Sequence, residues 1–154
     1  MDLSDGEIYR KHADELTRFA TVLVGPNHAC DVVSEAVLRC MSSRHWAGVD
    51  EKRAYLFRSV YNEAARIRRV AIGRNSREER AANGEAVEQI ELRPEILAAV
   101  RQLSIRQRAV IVLTYWSDLT PSSIAQLLDI SEGSVRRHLA RGRNKLKEVL
   151  NVDD

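Results

Sequence analysis

The chain has 154 residues, 44% of them hydrophobic and 30% charged, with a formal charge of +2. That length allows one domain or two small ones, and the composition excludes a disordered chain and a nonspecific polycation. No stretch approaches the length of a membrane span and the N-terminus lacks the basic-then-apolar shape of a signal peptide, so no membrane insertion and retention in the cytoplasm are expected.

With only three prolines and seven glycines, an all-α fold is predicted. Ser4 and Asp5 offer a start for a first helix over residues 7–24, with Ile8, Leu16, Phe19, Ala20 and Leu23 on its core side. Gly25-Pro26 ends it, and Asn27 can cap the next helix. The second helix is predicted over residues 28–44, its apolar side formed by Cys30, Val33, Val37, Cys40 and Met41. Ten residues apart on one helix, the two cysteines would sit about 15 Å from each other, too far for a disulfide, and buried thiols are expected. With His28 and His45 they match no usual metal spacing, so no metal and no cofactor is expected. Asp31, Glu35 and Arg39 recur every fourth residue along another face, as a charge ladder or as a docking face for a partner.

Gly48 and Asp50 restart the chain into a third helix over residues 51–72, with Leu56, Val60, Ala64 and Ile67 as its spine. It also carries Arg58, Asn62, Arg66, Arg68 and Arg69 beside Tyr55, Phe57 and Tyr61. Basic residues interleaved with aromatics can hold a nucleic-acid strand, phosphates on the arginines and bases on the rings. Core packing accounts for the aromatics equally well.

The polar run 73–94 reads as a flexible linker between two small helical domains, residues 1–72 and 95–154. It is mildly acidic: residues 71–95 carry four basic and six acidic side chains, whereas residues 96–154 carry nine and six. Only some surfaces are therefore expected to face nucleic acid. Past the linker, one helix is predicted over residues 95–102 with Ile96, Leu97 and Val100 apolar. Another, capped by Ser104, is predicted over residues 105–116 with Val110, Ile111, Leu113 and Trp116 in the core.

Two further helices follow, joined by a tight turn. Thr120 caps the first, and Pro121 falls at its first position, where a missing N–H costs nothing. Ile124, Leu127 and Leu128 are its apolar stripe, Asp129 suits the left-handed turn, and Ser131 caps the second helix with Glu132 in its first turn. On that second helix Val135, Leu139, Gly142 and Leu146 line one side. Ser134, Arg137, His138, Arg141 and Lys145 are placed roughly opposite, with Arg136 and Arg143 flanking. Residues 131–147 hold six Lys/Arg against one acidic side chain. A helix-turn-helix with a basic recognition helix is predicted, of the kind that enters a DNA major groove by its N-terminal end.

These residues resemble one family, the extracytoplasmic-function (ECF) sigma factors of bacterial RNA polymerase. Leu103-Ser-Ile-Arg-Gln-Arg-Ala-Val-Ile-Val-Leu, Asp118-Leu-Thr, Ile124-Ala, Ile130-Ser-Glu-Gly-Ser-Val135 and Arg141-Gly-Arg with Leu146 match the landmarks of its fourth conserved region in order and spacing. Asp31-Val-Val-Ser-Glu35 resembles the clamp-binding segment of region 2, and Arg53-Ala-Tyr-Leu-Phe-Arg58 with Asn62 and Arg69 resembles its promoter-melting helix. The family usually has glutamine at Ser34, an acidic residue near Cys30, tryptophan at Tyr55, glycine at Asp129 and arginine or a similar residue at His138. It often has aspartate at Arg66.

The resemblance implies a promoter-specificity subunit, not an enzyme, whose partners are the RNA polymerase core enzyme, promoter DNA and an anti-sigma protein. Asp31, Glu35 and Arg39 would meet the polymerase, and Arg58, Asn62, Arg66 and Arg69 the downstream promoter element. Ser134, Arg136, Arg137, His138, Arg141 and Arg143 would hold the upstream element. The residues leave two alternatives open: a sigma-like decoy or adaptor for an anti-sigma protein, and a polymerase-independent helix-turn-helix regulator.

Overall fold

Ser4 opens the first helix as expected: its hydroxyl accepts the Glu7 N–H while the Glu7 carboxylate accepts the Ser4 N–H, a reciprocal capping box. The computed structural model describes residues 4–71 and 93–151. Among them are seven α-helices, a 3₁₀ turn and no strand: α1 (Asp5–Val24), α2 (Pro26–Ser42), the turn Trp46–Gly48, α3 (Lys52–Ala71), α4 (Pro94–Arg101), α5 (Ile105–Tyr115), α6 (Pro121–Leu128) and α7 (Glu132–Leu150). The chain divides into two compact units, Met1–Arg74 and Asn75–Asp154.

In the first unit α1, α2 and α3 pack on one another around Leu16, Phe19, Leu23, Val32, Leu56, Phe57 and Val60. The Phe19 and Phe57 rings meet with centroids 5.2 Å apart. Arg53 on α3 donates from Nε and Nη2 to the two carboxylate oxygens of Glu15 on α1, both at 2.9 Å. Burial raises the Glu15 carboxyl, but the hydrogen bonds from Arg53 and His12 outweigh it and hold the group below its ordinary value. Trp46 is buried, and its indole N–H donates to Asp5 at 2.9 Å, fastening the 3₁₀ turn to the start of α1.

Several details of α2 differ from the sequence expectation. Asn27 is not its cap. Gly25 takes φ 89°, a conformation that favours glycine, and Pro26 is already the first helical residue. The buried stripe is Ala29, Val32, Val33, Ala36, Val37 and Cys40. Cys30 is exposed and Met41 only half-buried, so of the two expected buried thiols only Cys40 is one. Burial pushes the Cys40 thiol up, which keeps it protonated and unreactive.

The segment predicted as the linker lies, for residues 73–92, outside the described residues. Pro94, assigned to its end, is instead the first residue of α4. In the second unit α7 packs against α4, α5 and α6. Leu97, Val100, Leu103, Val110, Leu113, Ile124, Leu127 and Val135 fill the core. Ser104 caps α5 in a second capping box with Gln107. Trp116 does not join that core: it is the cap residue beyond α5 and is half exposed. Arg108 does, its guanidinium donating to the Leu103 and Arg101 carbonyls at the end of α4.

Candidate nucleic-acid interface

The turn between α6 and α7 is built as its residues dictate. The Thr120 hydroxyl accepts the Ser123 N–H at 3.1 Å, and Pro121 occupies the first turn. Asp129 adopts φ 57° and ψ 50°, the left-handed conformation that Asp tolerates better than most residues, and its N–H closes onto the Ala125 carbonyl. The Ser131 hydroxyl accepts the Ser134 N–H at 3.1 Å and starts α7. Val135 and Gly142 are buried. A Cβ at position 142 would stand 2.6 Å from Ile111 Cδ1, so the missing side chain sets how closely α7 lies on α5.

Arg136, Arg137, Arg141 and Arg143 are exposed. Arg137 Nη2 donates to the Ser134 hydroxyl at 2.9 Å, which fixes its guanidinium near the N-terminal end of the helix. Arg143 lies over the Tyr115 ring, 5.4 Å from its centroid, and donates from Nε to the Tyr115 hydroxyl. Tyr115 sits at the end of α5 and was not singled out from the sequence. A tyrosine just before the helix-turn-helix is a weak signal, and its pairing with a residue 28 positions away is a tertiary event.

His138 is half-buried, and its Nδ1 is buried without a partner among the described residues. Burial first, then the nearby cations Arg106, Arg141 and Arg137, lower its pKa and favour the neutral ring. It stands three residues after Val135 and four before Gly142, which places it beside the packed face.

On α2, Asp31, Glu35 and Arg39 are all exposed. Among them stands Leu38, 64% exposed, an apolar side chain in the middle of a charged face. It borders an open groove lined also by Tyr9, Ser34, Val37 and Met41.

On α3, Arg58, Asn62 and Arg69 are exposed at spacings of four and seven residues, which puts them along one side of the helix. The interleaved rings belong to the core: Phe57 is fully buried, Tyr61 is 8% exposed, and Tyr55 packs against Trp46. Neither Phe57 nor Tyr61 is available to stack on a base. Arg66 is exposed but turned to Glu63, donating to Oε1 at 2.5 Å and to Oε2 at 3.3 Å. Glu63 was missed from the sequence, although a lone acid three residues before Arg66 in a basic helix hints at the pairing. Among the described residues no cluster of three or more His, Cys, Asp or Glu is arranged to hold a metal ion, and no helix is long and apolar enough to cross a membrane.

Residues 93–146, spanning α4 to most of α7, match the family model Sigma-70, region 4. The RNA polymerase sigma-E factor of Streptomyces antibioticus is 31% identical over 155 residues, covering 96% of this chain and 85% of that protein. The sigma-E factors of Streptomyces avermitilis and Streptomyces coelicolor are each 30% identical, with 96% and 86% covered. This chain belongs to the ECF sigma factors. The sigma factor RpoE of Bartonella quintana, solved in complex with the anti-sigma factor NepR, shares the fold with a TM-score of 0.73 at 22% identity, over 97% of this chain and 98% of that one. As a sigma factor the chain is a transcription-initiation factor that recognises promoters, and not an enzyme.

Proposed function

We propose that this sigma factor grips a promoter at two places while seated on the core polymerase, each grip made by one helical unit. The observation that carries the upstream grip is the set of four exposed arginines, Arg136, Arg137, Arg141 and Arg143, on a doubly capped recognition helix. Arg137 and Arg141 are the base readers, because an arginine fork matches guanine O6 and N7. Arg136 and Arg143 hold phosphates, and Ser134 orients Arg137. His138 contributes by packing.

The downstream grip, on the separated strand of the second promoter element, rests on Arg58, Asn62 and Arg69 of α3. Since Phe57 and Tyr61 are in the core, this face works through charge and hydrogen bonds. Asp31, Glu35 and Arg39 on α2 dock on the polymerase. Residues 1–72 thus act as region 2 and residues 95–154 as region 4, joined by the acidic segment 73–94. The protein works in the cytoplasm, and an anti-sigma protein that occludes both units is its regulator; the Bartonella RpoE–NepR complex supports that partner class.

The test is binding of holoenzyme to promoters substituted base by base. Arg137→Ala is expected to lose about 1–3 kcal/mol of discrimination at one base position, whereas Arg143→Ala weakens all promoters alike. Uniform losses for both variants would sink this division of labour.

A further inference from the structure

Glu63 lies between Val60 and Ala64 in the first unit's core, with only 2% of its side chain exposed. A carboxylate so placed must be paired, because an isolated buried charge is strongly disfavoured. Two guanidiniums meet it. Arg66 donates from Nη2 to Oε1 at 2.5 Å and from Nε to Oε2 at 3.3 Å, while Arg39 of α2 donates from Nη1 to the same Oε2 at 3.1 Å. Hydrogen bonding from Arg66, followed by the charges of Arg66 and Arg39, outweighs burial and holds the Glu63 carboxyl below its ordinary value. Arg39 also reaches outward, from Nη2 to Glu35 Oε1, but at 3.5 Å, the limit of a hydrogen bond. Four charges therefore alternate in a neutral chain from the exposed face of α2 to α3, and Arg39 is shared between a buried carboxylate and an exposed one.

We infer that Arg66 is a positioning residue: by satisfying Glu63 it leaves Arg39 free to turn outward and dock on the polymerase. This rests on the α2 docking reading. The geometry explains why a cation stands at position 66 in a helix that also carries Glu63. Glu63 requires one close cation. While Arg66 supplies both of its fork contacts, Arg39 can release Oε2 to a polymerase group without stranding the buried charge. Without Arg66, Glu63 would hold Arg39 alone and draw it off the exposed face. Arg66 then acts inward, through Arg39, and its charge is spent on Glu63 rather than on a phosphate.

The test is affinity of the full-length sigma factor for the purified core polymerase, with Arg66→Ala, Glu63→Gln and the double variant. Arg66→Ala is expected to weaken core binding at least about fivefold, as substitution in a coupled network does. Adding Glu63→Gln removes the charge that captures Arg39, so the double variant is expected to return to within about twofold of wild type. A purely structural role would lower the unfolding midpoint of Arg66→Ala while leaving the core affinity of the folded protein unchanged. Unchanged core affinity for Arg66→Ala, or a double variant no better than Arg66→Ala, would overturn the inference. Should circular dichroism show Arg66→Ala unfolded, Arg66→Gln with and without Glu63→Gln supplies the same comparison. Arg39→Ala and reversal of Asp31 and Glu35 separate the two levels. If neither weakens core binding, the docking reading fails; if both do and Arg66→Ala does not, only this inference fails.

Discussion

Replacing His138 by leucine should make the second unit more stable while leaving its DNA affinity intact. The ring is half-buried beside Val135 and Gly142, and its buried Nδ1 has no partner among the described residues. A buried unsatisfied polar group costs about 1–3 kcal/mol, and the low end applies to a residue that is only partly enclosed. Leucine removes that atom, fills similar space, and adds a few tenths of a kcal/mol in helix propensity. A gain of about 1 kcal/mol near neutral pH is expected. The pH dependence follows from the lowered pKa. The folded state favours the neutral ring, so its contribution is full above the ordinary histidine value. It is lost as the pH falls through that value towards the lower folded one. The advantage of His138→Leu should therefore widen on acidification. Native-state amide exchange of α7 in the full-length chain reads the opening of this unit directly. A variant less protected than wild type near neutral pH, or an advantage that shrinks in acid, would refute the reasoning. So would a loss of more than about fivefold in upstream-element affinity, because a DNA-facing ring would behave that way.

Other outcomes test separate parts of the structure. Gly142→Ala should cost about 1–2 kcal/mol despite alanine's helix propensity, because its Cβ meets Ile111 Cδ1; Ile111→Val, which removes that methyl, should recover most of the loss in denaturant titrations. Glu15→Gln should flatten the acid limb of the first unit's stability. The folded Glu15 carboxyl lies below its ordinary value, so the wild-type contribution is full above that value and disappears as pH falls through the folded one. An unchanged acid limb would show that the Arg53 fork contributes nothing. Reversing Asp31 and Glu35 together should abolish co-purification with core polymerase without changing the circular dichroism spectrum, since both side chains are exposed.

The helix-turn-helix was legible because its signals are local. Thr120, Pro121, Asp129 and Ser131 each act on backbone within a few residues, and each does in the structure what its chemistry implies. His138 was placed roughly opposite Val135 because its polar character was allowed to override its position. At about 100° per residue it falls within about 60° of Val135, on the packed side. On α2, Val33, Val37 and Cys40 are buried as expected, but Cys30 and Met41 drew the apolar side off line, whereas the small residues Ala29 and Ala36 mark where α2 packs. Glu63 stands three residues after Val60 and four before Ile67, on the spine of α3, so its burial was legible from the helical period, whereas its partner Arg39, 24 residues away on α2, was not. The Trp46–Asp5 bond, across 41 residues, is invisible to any local pattern for the same reason. Aromatics among arginines on α3 suggested strand stacking, but burial assigns Phe57 and Tyr61 to the core and leaves Arg58, Asn62 and Arg69 outside.

The most direct measurement is run-off transcription by core polymerase loaded with this protein on a genomic fragment library, with every start site sequenced. Specific starts are expected, sharing an upstream element whose preferred base at one position is relaxed by Arg137→Ala, with few or no starts after reversal of Asp31 and Glu35. A set of starts indistinguishable from those of core polymerase alone would contradict a two-grip promoter-specificity subunit.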